Sequence, residues 1–165
     1  MTCTLFPPSG GVFKVRGEPY SEDKYAHRGG SETARPANDW VLNALQKDGQ
    51  DGLIKALGRE KRGTLQIGSR LGRDVQAVWL TRTEEGRKIS ALSERWQGFG
   101  ELRRGARSLD YPLTYIEIFI EEDGGKGDGS LIPAARVRSK GGNNIEIENF
   151  GIYPARLTNI KVGKK

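Results

Sequence analysis

The sequence predicts a β-rich α+β fold: about seven mostly antiparallel strands in a barrel or sandwich, two short helices and an extended N-terminal arm. Three observations predict it. Glycine is abundant at 23 of 165 residues while the hydrophobic share is 35%, which fits many turns and short strands better than long helices. Short runs of β-formers separated by turn signals recur from Gly63 onward. Helical spacing is confined to residues 39–58, between a capping signal and a glycine. A chain of this length is one domain or one domain with an arm. The division expected is an arm at 1–38 and a single domain at 39–165.

The arm carries Pro7, Pro8, Pro19 and Pro36, two Gly-Gly pairs and few apolar residues. It is expected to be free or to lie along a partner. One short strand fits Gly11–Arg16, with Val12 or Phe13 as an anchor. Asn38 or Asp39 then offers an N-cap. Trp40, Val41, Ala44 and Leu45 follow at helical spacing, and Gly49 supplies a stop. Asp51 opens a second helix that ends at Gly58. Lys55 is its only charged side chain, so a plain helical pair packed on a sheet is favoured over a DNA-reading helix-turn-helix.

From Gly63 to Leu92 three β-forming runs alternate with turn signals at Arg70–Arg73 and Thr83–Gly86, the pattern of a β-meander. In its second run Val75, Ala77 and Trp79 share one parity, and Val78 and Leu80 the other. A strand apolar on both faces belongs between two layers. Ser93–Arg107 reads as a loop. In Tyr111–Glu122, Ile116, Ile118 and Ile120 share one face of a strand, with Tyr115, Glu117, Phe119 and Glu121 on the other. Asp123–Gly129 is a glycine-rich loop without the ligand spacing of a calcium loop. Strands are expected at about 131–138, 144–148 and 155–162, with a hairpin turn at Gly141–Asn144.

Chemistry of several kinds is short of players. Cys3 is the only cysteine and His27 the only histidine, so a zinc site and an internal disulfide are excluded. Two carboxylate pairs, Glu117 with Glu121 and Glu146 with Glu148, invite comparison with a metal-dependent nuclease. Neither is followed by the lysine such a site wants. They read more simply as solvent-facing acids, paired with Arg136 and Arg138 across strands. The expectation is a non-enzyme without cofactor or metal, with a serine or tyrosine mechanism left open. No apolar run approaches the roughly 18 residues that span a bilayer. The N-terminal residues lack the apolar core of a secretory signal. A cytoplasmic protein (in a host cytoplasm, if viral) with no membrane partner is expected.

Charge is the strongest functional signal. The net charge is +6. Residues 1–58 hold 7 basic and 7 acidic groups, and residues 108–165 hold 8 and 8. Residues 59–107 hold 12 basic against 6 acidic groups. The basic ones are Arg59, Lys61, Arg62, Arg70, Arg73, Arg82, Arg87, Lys88, Arg95, Arg103, Arg104 and Arg107. Arginine's planar fork suits phosphate or carboxylate. Around Arg95 to Arg107 stand Trp96 and Phe99. Aromatic groups among arginines stack bases and neutralise phosphates, and Trp79 is a further stacking candidate. Against this stands a satellite core, with both rings folded under the loop.

The first expectation is therefore sequence-tolerant binding of nucleic acid, DNA or RNA, by these twelve basic residues with Trp96 and Phe99. The first alternative is a structural subunit of a viral particle or other ordered homo-oligomer. The second is a small inhibitor or adaptor that meets an acidic protein surface, since phosphate and carboxylate attract the same side chains.

Overall fold

The computed structural model describes residues 2–5, 12–17, 35–58, 60–66, 73–121, 127–151 and 154–163. Its strands are β1 (Thr2–Leu5), β2 (Val12–Gly17), β3 (Arg35–Pro36), β4 (Gly63–Gln66), β5 (Arg73–Val75) and β6 (Ala77–Thr83). They continue with β7 (Gly86–Glu94), β8 (Leu113–Glu121), β9 (Gly127–Gly141), β10 (Asn144–Asn149) and β11 (Ala155–Gly163). Helical segments are α1 (Asp39–Leu57), α2 (Phe99–Arg104) and a 3-10 turn at Arg107–Asp110. The strand-rich, antiparallel fold expected from the sequence is the one observed.

The sheet runs β5-β4-β1-β2-β11-β9-β8-β7-β6, with β10 on β9 and β3 on β10. Its two outermost strands, β5 and β6, are joined by Gln76 alone, so the sheet curls as a half-barrel. The expected meander is corrected here. Residues 63–92 form two hairpins at opposite ends of the strand order, β4–β5 and β6–β7. Gln76 leaves the ladder, with its N–H on the Leu92 carbonyl and its side chain accepting from the Glu94 N–H. One residue out of register reverses the facing of all that follows. Val75 therefore belongs to a different core layer from Ala77 and Trp79.

Directly opposed residues of neighbouring strands share a face. The rows Val78–Ala91–Ile116–Leu131 and Leu80–Ile89–Ile118 face inward. They pack with Leu65, Val75, Leu157 and Ile160 into the inner core. The alternate row Ala77–Leu92–Tyr115–Ile132 faces outward, where Val41, Leu42, Leu45, Leu53 and Leu57 of α1 cover it. This is the second layer that a doubly apolar strand requires.

The helical pair is continuous in outline but kinked. Asn38 caps it, its side chain accepting from the Val41 N–H at 2.9 Å. Asp48 and Gly49 leave helical geometry, and Gly49 takes φ 61°. The kink folds the second half close enough that a Cβ on Gly52 would meet the Ala44 carbonyl at 2.6 Å. Gln50 then bridges layers, donating to the Asp110 carbonyl and accepting from the Val137 N–H.

Residues of the expected arm are partly built into the sheet. β1 pairs with β2 and β4, and β2 with β11. The rest of the arm, including the side chains of Cys3, Val12, Phe13 and His27, lies outside the described residues, as do 122–126. β3 is pinned to the outer face. Trp79 Nε1 donates to the Pro36 carbonyl, Ala37 N–H to Asn143, and Arg35 Nε to Glu117. Among the described residues no helix is long and apolar enough to cross a membrane.

Two glycine substitutions should separate packing from propensity. Gly52→Ala must displace backbone, and overpacking of this kind costs about 1–3 kcal/mol. Gly100→Ala, in open space within a helix, should gain about 0.4–1 kcal/mol. Urea unfolding of both variants reads the difference.

Candidate nucleic-acid interface

The expected loop at 93–107 is corrected: Ser93 and Glu94 finish β7, and Phe99–Arg104 form α2. Its stop is a C-terminal glycine motif. Gly105 adopts φ 59°, its N–H bonds the Leu102 carbonyl, and the Ala106 N–H bonds that of Glu101. Arginines in the last turn followed by glycine are a helix-stop signal visible in the sequence. The short apolar content of the segment conceals it.

Helix α2 buries none of its residues, so packing does not hold it. Arg95 does. Its side chain is 14% exposed. Its Nε donates to the Tyr111 carbonyl at 2.9 Å and Nη2 to the Ser108 carbonyl at 2.9 Å. Nη1 reaches both Glu101 oxygens at 3.1–3.2 Å. That hydrogen bond, with Arg95's charge, holds the Glu101 carboxyl below its ordinary 4.5. Glu101 fixes the rotation of α2 about its axis. At 3.6 residues per turn, Phe99, Leu102 and Arg103 then lie on the side away from Glu101. Their exposure agrees: Phe99 76%, Leu102 54%, and Arg103 exposed.

Trp96 precedes the helix at 67% exposure. The Arg73 guanidinium lies over its ring, 5.7 Å from the centroid. The ring also rests on Gly98, where a Cβ would come within 3.5 Å. The satellite-core reading of Trp96 and Phe99 is thus not what the structure shows. Trp79 is different: it is buried and hydrogen-bonded to Pro36, which removes it as a stacking candidate.

The basic residues divide into groups. Arg73, Arg103, Arg104 and Arg107 are exposed on the elements around Trp96. Lys61 pairs with Asp74 at 2.8 Å, Arg62 with Glu60 at 2.9 Å, and Lys88 with Glu117 at 3.2 Å. Arg95 is consumed internally. Arg82 and Arg87 oppose each other across the β6–β7 hairpin. That is the far end of β7 from Arg95, about 25 Å away at the rise of a strand. Arg59 and Arg70 lie outside the described residues.

The carboxylate pairs do not form a joint site. β8 and β10 are separate neighbours of β9. Glu148 accepts from Tyr111 and pairs with Arg138 at 3.0 Å, so the expected cross-strand pairing holds for Arg138. Glu117 Oε2 accepts from Arg35 at 3.0 Å and Tyr115 at 2.8 Å, beside Lys88. The Tyr115 hydroxyl, whose hydrogen is directed at Glu117, accepts from Ser90 at 3.0 Å. Burial, then the Glu117 charge, pushes the Tyr115 pKa up, so it stays a donor. These hydroxyls are buried struts of the outer face. Among the described residues no three His, Cys, Asp or Glu side chains gather to hold a metal. A cleft of about 390 Å³ lies between α1 and the Glu94–Pro112 segment, lined by Gln50, Ile54, Gln97 and Asp110 among others. Gln50 and Arg95 within it are already committed to protein partners.

Compared with known proteins, the chain matches no family model, no curated protein and no solved structure. The functional reading rests on this surface.

The Arg95 anchor has a testable pH signature. A carboxyl whose folded pKa is lowered adds stability that is fully present above its unfolded value. That stability is lost as pH falls through the lowered value. Amide NMR shifts of Leu102–Gly105 should therefore hold above pH 4.5 and move on further acidification. Glu101→Gln should abolish that transition. Arg95→Ala, which loses two charged donors to carbonyls, should cost roughly 3 kcal/mol in urea unfolding.

Proposed function

We propose that this protein binds nucleic acid without base-sequence preference through Trp96, Phe99, Arg73, Arg103, Arg104 and Arg107. The observation that carries the reading is exposure. Two aromatic rings, 67% and 76% exposed, stand among arginines on a segment that the partly buried Arg95 guanidinium ties down. Large exposed aromatics lose free energy to water unless something covers them, and such patches mark interaction surfaces. Bases offer flat faces to cover them. Phosphates offer the charge that planar guanidinium forks match. The hairpin arginines Arg82 and Arg87, at the other end of β7, are not needed for this contact.

A second reading is a protein partner, either another copy of this chain or an acidic surface. Leu102 favours it, since an aliphatic side chain 54% exposed gains more from a protein interface than from a base. The two readings separate by titration and by mass. Fluorescence anisotropy with labelled oligonucleotides at two salt concentrations should show binding that weakens steeply with salt. Arg103→Glu with Arg104→Glu should lower affinity at least tenfold and flatten the salt dependence. Arg82→Glu with Arg87→Glu should leave it within about twofold, because far rim charges contribute little. No binding at low salt, with a large homo-oligomer by light scattering, would replace this reading with the second.

A further inference from the structure

We infer that the partner of this surface is single-stranded rather than duplex nucleic acid; the inference rests on the nucleic-acid reading above and narrows it. Stacking requires a free base face. In a duplex each base face is covered by its neighbours, so an aromatic platform gains only at unpaired bases. Two such platforms stand here three residues apart, Trp96 and Phe99. The Arg73 guanidinium already lies over Trp96, 5.7 Å from the ring centroid, so a base laid on the exposed part of the ring would share the indole with a cation–π contact.

The same surface is poorly made for reading a duplex. Helix α2 has six residues, about 9 Å of axis. Its outward side carries Phe99, Leu102 and Arg103, so Arg103 alone on that side is able to pair with a base edge. A bilayer would also accept aromatic, leucine and arginine side chains together. Phe99 and Leu102 on one and a half turns, with Trp96 before them, bury little area for such anchoring, and the arginine over the indole favours a planar ligand.

The test uses the full chain and one 5′-labelled mixed-sequence oligonucleotide, single-stranded and annealed to its complement, at low salt. The single strand should bind at least tenfold tighter. Trp96→Ala and Phe99→Ala should each weaken single-strand binding roughly five- to a hundredfold, the range of one lost base stack, and leave duplex binding unchanged. Trp96→Phe, which keeps a ring, should restore most of the loss and control for folding. Equal or tighter duplex binding, or equal loss on both substrates, would overturn the inference while leaving nucleic-acid binding intact. Failure of both substrates would overturn both readings. Capture of the chain by phosphatidylserine vesicles in that case would assign the surface to a membrane.

Discussion

The Arg95 guanidinium is the constraint on which the exposed surface depends. It stands at the end of β7, where the strand leaves the sheet, and spends its donors on Tyr111, Ser108 and Glu101. The Arg95 N–H adds a bond to the Pro112 carbonyl at 2.7 Å. One side chain thereby ties the start of a fifteen-residue excursion (96–110) to its return into β8. A short helix with no buried side chain has little else to define it, since an isolated turn and a half of helix is unstable in water. Because the tie is made to Glu101, it also selects which side of α2 faces solvent. Charge is the means here, but the outcome is geometric: arginine and glutamate are engaged with each other so that Phe99, Leu102 and Arg103 face away from that pair.

That anchor is only as rigid as the strand that bears it. β7 is buried along most of its length between the inner core and the α1 layer. Its neighbour β8 pairs with it from Gly86 to Glu94, and β6 from Gly86 to Leu92. On the outer face a second polar cluster, centred on Glu117, fastens Arg35 and Lys88 to the same sheet. Partly buried ion pairs of this sort often contribute little net stability. Their effect here is positional, since they locate β3 and the entry to α1. The two polar centres divide the work: Glu117 closes the outer layer, and Arg95 presents the excursion.

Much of the fold was legible. The alternation of Ile116, Ile118 and Ile120, the glycine-asparagine hairpin at 141–144, and the cap-and-glycine punctuation of α1 each have a local cause. The site was legible in part. Trp96, Phe99 and the arginines after them were visible as a cluster, and the helix-stop at Gly105 was there to be read. The break at Gln76 was not. Its neighbours alternate like a single strand, and only pairing with different hairpins reveals that the chain crosses from one core layer to the other. The whole of segment 59–107 also looked like one basic surface. Strand direction separates Arg82 and Arg87 from the rest, and Asp74, Glu60 and Glu117 pair with Lys61, Arg62 and Lys88.

By itself the sequence determined the class of fold, the helical pair, the facing of most strands and the positive surplus of the middle third. These follow from periodicity, turn chemistry and counting, which act over a few neighbouring residues. Tertiary structure alone decided which arginines remain available and which rings stay in water. Ion pairing joins residues far apart in the chain, as Arg35 with Glu117 and Lys88 with Glu117. Exposure depends on what the rest of the sheet leaves uncovered. Trp79, in an apolar strand, is sealed under Pro36, and Trp96, in a polar segment, stands open where Arg95 ties that segment to its return into β8.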